Sequence, residues 1–189
     1  VAYAVAWEQP RVLTRHGEVP VFELDDQEGA KVSRESLRGK VWVGTFMFSS
    51  CRNACPGMAA ELLKIQKTIR NEDGLAGKLR LVSFSLDPGR DTPLQLAQYS
   101  SQQGIDSGCW SFLRGGRGEI VRLCEQGFRM SAGGSQEAAA ESGVPHSDRF
   151  ALVDAKGIIR GYYRPSSVPG DLEKLLDAAR ILIEENQQE

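Results

Sequence analysis

Residues 41–48 read Val-Trp-Val-Gly-Thr-Phe-Met-Phe, an uncharged run that stops three positions before a cysteine. A β-branched and aromatic run with no charged alternation is what a strand covered on both faces requires, and such strands lie in the middle of a sheet. The run passes through Ser49-Ser50 into Cys51-Arg52-Asn53-Ala54-Cys55-Pro56. From there Met58, Leu62, Leu63, Ile65, Gln66 and Ile69 recur with helical period until Asn71 and Gly74. A buried strand that hands a cysteine pair to the start of a helix leaves few architectures open.

The rest of the chain narrows them further. Residues 19–24 and 30–32 flank Asp25-Asp26-Gln27-Glu28-Gly29, an acidic turn, and read as a short hairpin. A second strand is expected over 79–86. It is followed by the turn Asp87-Pro88-Gly89-Arg90-Asp91-Thr92-Pro93, in which Asp91 or Thr92 can cap a helix that Pro93 opens and that runs to about Gln103. Residues 110–113 read as a short strand, and Ile120, Leu123 and Cys124 carry helical spacing within 118–127. Residues 131–143, rich in Gly, Ser, Ala and Gln, read as a surface loop. Residues 150–153 and 158–162 flank Asp154-Ala155-Lys156-Gly157, a hairpin signature, and 172–183 form a terminal amphipathic helix. Alternating strands and helices closed by an antiparallel hairpin and a helix predict an α/β chain. Its expected form is a thioredoxin-like fold, a mixed central sheet flanked by helices with an N-terminal β-hairpin.

With 189 residues, one domain over 18–185 is expected, preceded by a tail over 1–17. The tail begins Val1-Ala2-Tyr3-Ala4-Val5-Ala6-Trp7 without Met, as if a signal or membrane anchor had been removed upstream. A net charge of −2, with both signs interspersed, lacks the basic face that phosphate backbones require, so nucleic acid is not an expected partner. No apolar run has the length of a membrane span.

The chemistry converges on Cys51 and Cys55. Two cysteines four apart at a helix start share a face, with Cβ atoms roughly 5–6 Å apart. Their thiols face the positive end of the helix dipole, which favours thiolate, the form that binds soft metals and attacks disulfides. Dithiol oxidoreductases of the thioredoxin type place two residues between their cysteines, and this chain has three. Of the two histidines, His16 lies in a polar segment and reads as a surface residue. His146 precedes a strand at a junction that, in this fold, passes close to the cysteine-bearing helix start, and it is the expected third ligand. Structural zinc wants four protein ligands. Two thiolates and one imidazole suit Cu(I).

These stretches together resemble the Sco/SenC family of copper proteins. The likeness rests on Gly39-Lys40-Val41 leading to Phe46, on Cys51-Arg52-Asn53-Ala54-Cys55-Pro56, and on Ser85-Leu86 followed by the 87–93 turn. It continues through Trp110-Ser111-Phe112-Leu113 and His146-Ser147 ahead of Leu152-Val153-Asp154, covering roughly residues 19–182. The resemblance implies that Cys51, Cys55 and His146 hold copper, as Cu(I) or Cu(II). It implies a role in maturing the dinuclear copper site of cytochrome c oxidase subunit II, or of another copper or dithiol protein. It also places Asp87 at the mouth of the site, where its carboxylate would orient a ligand or meet the oxidised ion; the competing reading is a plain turn residue before Pro88. The expected location is exported, in the bacterial periplasm or on the outer face of the cytoplasmic membrane, ahead of the mitochondrial inner membrane. Two positions depart from the family pattern: Arg52 stands where Pro is usual, and Pro145 where Asp is usual before the histidine. Pro145 is open to either peptide isomer.

The alternative function is a thiol-disulfide oxidoreductase in which Cys51, nearer the helix start, attacks a partner's disulfide. A peroxiredoxin-like peroxidase fits poorly, since that family places Thr three residues before its reactive cysteine and this chain has Phe48. Cys109 and Cys124 are read equally as a disulfide or as two buried thiols. Met47 and Met58 are read as core residues.

Overall fold

The computed structural model describes residues 13–51, 54–132 and 147–188. Arg52, Pro145, His146 and most of the segment read as a surface loop (133–143) lie outside the described residues. Eight strands run in chain order: β1 (Gly17–Glu18), β2 (Glu23–Asp25), β3 (Lys31–Ser33), β4 (Val41–Met47), β5 (Leu79–Ser85), β6 (Trp110–Leu113), β7 (Phe150–Val153) and β8 (Ile158–Tyr163). The helices are α1 (Ala54–Asn71), α2 (Pro93–Gln103), α3 (Arg117–Arg122) and α4 (Asp171–Gln187).

Six strands form one sheet in the order β1-β8-β7-β4-β5-β6, while β2 and β3 pair as a separate hairpin. Strand β4 runs parallel to β5 and antiparallel to β7, and β6 is parallel to β5, so the sheet is mixed. All seven β4 residues are buried, as the uncharged run demands of an interior strand. The architecture is thioredoxin-like. Its N-terminal hairpin is shorter than the sequence pattern implies: the ladder joins only Glu23–Asp25 to Lys31–Ser33, while the Val19 amide is drawn to the Gly157 carbonyl and the side chains of Val19 and Phe22 enter the core.

Alternation along β4 and β5 sorts side chains onto two faces. Val41, Val43, Met47, Leu79 and Leu81 pack under Met58, Leu62 and Ile65 of α1, Leu96 of α2, and Leu175 and Leu182 of α4. On the other face Trp42, Phe46, Val82 and Phe84 meet Phe22, Ile120, Leu123 and Phe128. There Phe46 stacks on Phe84 at 4.9 Å between centroids, and Phe128 stands edge-on to Phe46 at 5.2 Å. Gly44 interrupts the β-branched run for a packing reason. A Cβ at that position would come within 3.0 Å of both Phe128 and Trp42.

Helix ends follow local chemistry. Thr92 caps α2 by accepting from the Gln95 amide at 3.3 Å, Pro93 follows it, and Gly104 closes the helix at φ 67°. Of the two cap candidates Thr92 is used, and Asp91 turns inward. Helix α3 widens into a π turn over Leu123–Gly127, with the Phe128 amide reaching back to the Leu123 carbonyl at 2.8 Å. At the end of the sheet where β4 begins, Arg160 is buried and donates to Asp154 Oδ2 at 2.9 Å and to the carbonyls of Leu13 and Thr14. Asp154 Oδ1 meanwhile accepts from the amides of Lys156 and Ile158, closing the β7–β8 turn.

Cys109 and Cys124 settle as two buried thiols with no disulfide between them. Cys109 belongs to the face covered by α1, and Cys124 to the face covered by α3. The sheet separates them.

Candidate metal and dithiol site

The site is assembled where β4 and β5 end side by side. Met47 pairs with Ser85 in the parallel ladder, and the Leu86 amide donates to the Met47 carbonyl at 3.0 Å. The turn after β4 (48–51) and the turn after β5 (87–92) therefore emerge together, a position that parallel sheets reserve for binding and chemistry. The first turn is closed by the Cys51 amide donating to the Phe48 carbonyl at 3.2 Å. Cys51 is half-buried, and Cys55, in the first turn of α1, is 2% exposed.

The two cysteines are free thiols with no disulfide between them, and their side chains interact. That interaction, followed by burial, pushes the Cys55 thiol above the ordinary range, with a hydrogen bond involving the Phe48 backbone acting weakly the other way. The helix dipole was expected to favour thiolate at both positions. For Cys55 the contact with Cys51 and burial work against the dipole and push its thiol up, and Cys51 is the more accessible sulfur. A soft cation with an affinity for thiolate would displace the thiol proton.

A buried network that sequence reasoning missed supports the pair. Asp91 is fully buried, and its carboxylate accepts from the Ser49 amide at 3.2 Å, from the Ser49 hydroxyl, and from the Ser85 hydroxyl at 2.5 Å. The Asp91 turn is itself held by Arg114, which donates to the carbonyls of Asp91 (3.0 Å) and Pro88 (3.1 Å). In the sequence Asp91 looked only like a cap candidate. The available signal was the pair of serines, Ser49 and Ser85, at equivalent ends of two interior strands. Tyr99 of α2 was missed as well. Its hydroxyl is pushed up to about 12, first by burial and then by Cys55, Cys51 and Asp91, which puts it within electrostatic reach of both sulfurs.

The other expectations fall as follows. Asp87 is buried at 6% exposure, opens the β5 turn and lies 3.9 Å from Arg90. His16 is exposed, with its ring edge-on to Tyr162 at 5.2 Å, as a surface histidine. Met47 and Met58 are core residues in the same cluster as Cys55. Among the described residues no group of three or more His, Cys, Asp and Glu is gathered as a metal site, and His146 lies outside them. Two adjacent sulfurs, one of them accessible, are a soft donor set that fits copper better than a hard cation.

Comparison with known proteins agrees with this geometry. The family model described as SCO1/SenC matches residues 13–180. A SCO1 protein homolog of Bacillus subtilis is 32% identical over 82% of this chain and 78% of its own length. A protein of Stutzerimonas stutzeri named for copper binding is 29% identical over 87% of this chain and 78% of its own length. The solved structure of BsSco superimposes with a TM-score of 0.78 at 27% identity, covering 95% of this chain and 99% of that one. BsSco is described as a member of the Sco family of cytochrome c oxidase assembly proteins that carries a disulfide switch. With the thioredoxin-like sheet, the dithiol at its β4–α1 junction and a family match over residues 13–180, the chain belongs to the SCO1/SenC family.

Proposed function

We propose that this protein is a copper metallochaperone whose domain over 18–185 holds one copper ion through Cys51, Cys55 and His146. The cargo goes to the dinuclear copper site of cytochrome c oxidase subunit II or to another copper or dithiol protein. Asp87 lies at the mouth of the site, where its carboxylate orients a ligand or meets the oxidised ion. The observation that carries this reading is the contact of Cys51 with Cys55 where α1 begins. One sulfur is accessible for loading, the other is covered by the core, and the pair gives a cation a soft edge to settle on. Two relatives support the cargo and the destination: the Stutzerimonas protein named for copper binding, and BsSco of the cytochrome c oxidase assembly proteins. No helix among the described residues is long and apolar enough to cross a membrane. We place the domain on the exported side, in the periplasm or on the outer face of the cytoplasmic membrane.

The test is an anaerobic Cu(I) titration of the reduced protein against a chromogenic chelator. The parent should take up one Cu(I) per chain, and Cys51→Ser should take up none. His146→Ala should weaken binding by at least the ~10–100-fold that losing an outer partner of a ligand costs, while its cysteine pair stays oxidisable. Parent-like affinity in His146→Ala would remove the imidazole from the ligand set. Copper bound in stoichiometric amount by the fully oxidised pair would overturn the reading, since no thiolate remains to hold it.

A second reading, thiol-disulfide reductase, is favoured by the asymmetry of the two sulfurs. Cys51 attacks one sulfur of a partner's disulfide and expels the other; Cys55 then attacks the mixed disulfide. The partner gains two electrons and two protons, and Cys51–Cys55 becomes the disulfide. Copper-independent reduction of a partner, unaffected by His146→Ala, would favour this reading over the first.

A further inference from the structure

A buried polar cluster centred on Asp91 sits beside the dithiol, and neither reading above uses it. Asp91 has no exposed surface. It reaches from the turn after β5 across to Ser49, the middle of the turn that ends in Cys51, and back to Ser85 at the end of β5. The turn it grips is short: the Cys51 amide closes onto Phe48, so Ser49 and Ser50 have little freedom once Ser49 is fixed. The grip is anchored from behind. Arg114 holds the Asp91 and Pro88 carbonyls with its side chain, while its backbone exchanges both hydrogen bonds with Asp25 of β2. A continuous set of contacts therefore runs from the N-terminal hairpin, through Arg114 and Asp91, to Ser49 and the first cysteine.

We propose that Asp91 is a positioning residue for Cys51: by fixing the Ser49 turn it holds the dithiol in its reduced, unbridged arrangement and resists the adjustment needed to close a disulfide. Closing a disulfide demands an S–S length near 2.05 Å and a restricted dihedral, so the turn that carries Cys51 has to adjust toward Cys55 at the start of α1. A turn tied to a buried carboxylate by both the amide and the hydroxyl of Ser49 shifts less readily than one held by its own backbone bond. Asp91 contributes geometry here; it is not a ligand and not a proton carrier. The inference deepens the metallochaperone reading and rests on it for its purpose, but the quantity it changes is measurable without metal.

The experiment is the equilibrium of the Cys51/Cys55 couple in glutathione buffers of stepped ratio, read by trapping thiols. Two protein thiols lose two electrons and two protons to form the S–S bond, and one glutathione disulfide is reduced to two glutathiones. Asp91→Ala should shift the equilibrium constant about tenfold toward the protein disulfide. Asp91→Asn, which keeps one carbonyl oxygen for the Ser49 amide, should recover most of the parent value. Ser49→Ala, which leaves the carboxylate and the amide contact in place, should shift it by a smaller factor in the same direction, and it serves as the readout if Asp91→Ala fails to fold. Equal shifts in Asp91→Ala and Asp91→Asn would show that charge and not geometry is at work, and would overturn the proposal. So would a folded Asp91→Ala, or a folded Ser49→Ala where the other is lost, with the parent equilibrium constant. If the parent binds no copper, the chaperone reading fails while the glutathione series still decides the role of Asp91.

Discussion

Asp154 and Asp91 are both buried aspartates at the ends of the central sheet, but they are satisfied by different means. Asp154, at the end where β7 turns into β8, faces the Arg160 guanidinium at 2.9 Å, with Glu185 3.6 Å from the same nitrogen. Asp91, at the end where β4 delivers Cys51, is satisfied by two serine hydroxyls and one amide, and among the described residues it makes no ion pair. A buried pair of full charges gives rigidity and cancels the field. Hydroxyl and amide donors give rigidity without setting an opposite charge against the carboxylate. One end of the sheet is arranged for cohesion. The other is held by neutral donors, with no cation paired to the Asp91 carboxylate among the described residues.

The sharpest way to break that contrast is Arg160→Ala. It strands Asp154 without its cation and frees the carbonyls of Leu13 and Thr14, and removing one partner of a buried pair costs about 3–5 kcal/mol. Urea denaturation should show that loss while copper stoichiometry stays at the parent value; a loss below ~1 kcal/mol would mean the pair is not what holds that end. Next in size is Asp91→Ala in the same assay. Unpairing the Ser49 and Ser85 donors should cost about 1–3 kcal/mol, and a cost above that of Arg160→Ala would invert the comparison.

A smaller effect should appear with pH. Burial pushes the Cys124 thiol from its ordinary 9.0 up to about 12, and Tyr99 moves in the same direction. Above pH 9 the unfolded chain releases these protons before the native state does. Stability is therefore complete below pH 9 and declines as pH rises toward 12, by at most about 1.4 kcal/mol per pH unit for each group. Cys124→Ala should flatten the slope, measured as urea midpoint against pH; an unchanged slope would assign the decline to other groups. Least of all should follow from Leu94→Ser at the exposed start of α2, within about 0.5 kcal/mol. A larger loss there would reveal that the rim of the dithiol end is packed more tightly than its 65% exposure indicates.

The parts of this molecule that are written in a local pattern were readable before any coordinates. The β4 run, the Met58–Ile69 period of α1 and the Thr92-Pro93 helix start are all set by nearest neighbours along the chain, and each reappears with nearly the same bounds. Cys51 and Cys55 were readable for the same reason, being four residues apart on one helix start. What stayed hidden depends on partners far apart in sequence. Asp91 meets Ser49 across 42 positions, and only the parallel pairing of β4 with β5 makes them neighbours. The direction of the Cys55 shift was hidden too, because burial and the contact with Cys51 oppose the helix dipole and spacing alone does not say which wins. Cys109 and Cys124 looked equally fit for a bridge until the sheet was seen to run between them.

Gln27, in the turn of the β2–β3 hairpin, has a consequence beyond its own packing. Its side-chain amide accepts from the Phe112 amide at 2.8 Å and donates to the Trp110 carbonyl at 3.4 Å, imitating the peptide group of a further strand alongside β6. The outermost ladder positions of the sheet are thus already taken by one carboxamide. A second copy of the chain would have to displace Gln27 to pair with the Trp110 carbonyl and the Phe112 amide, which works against edge-to-edge polymerisation from that side.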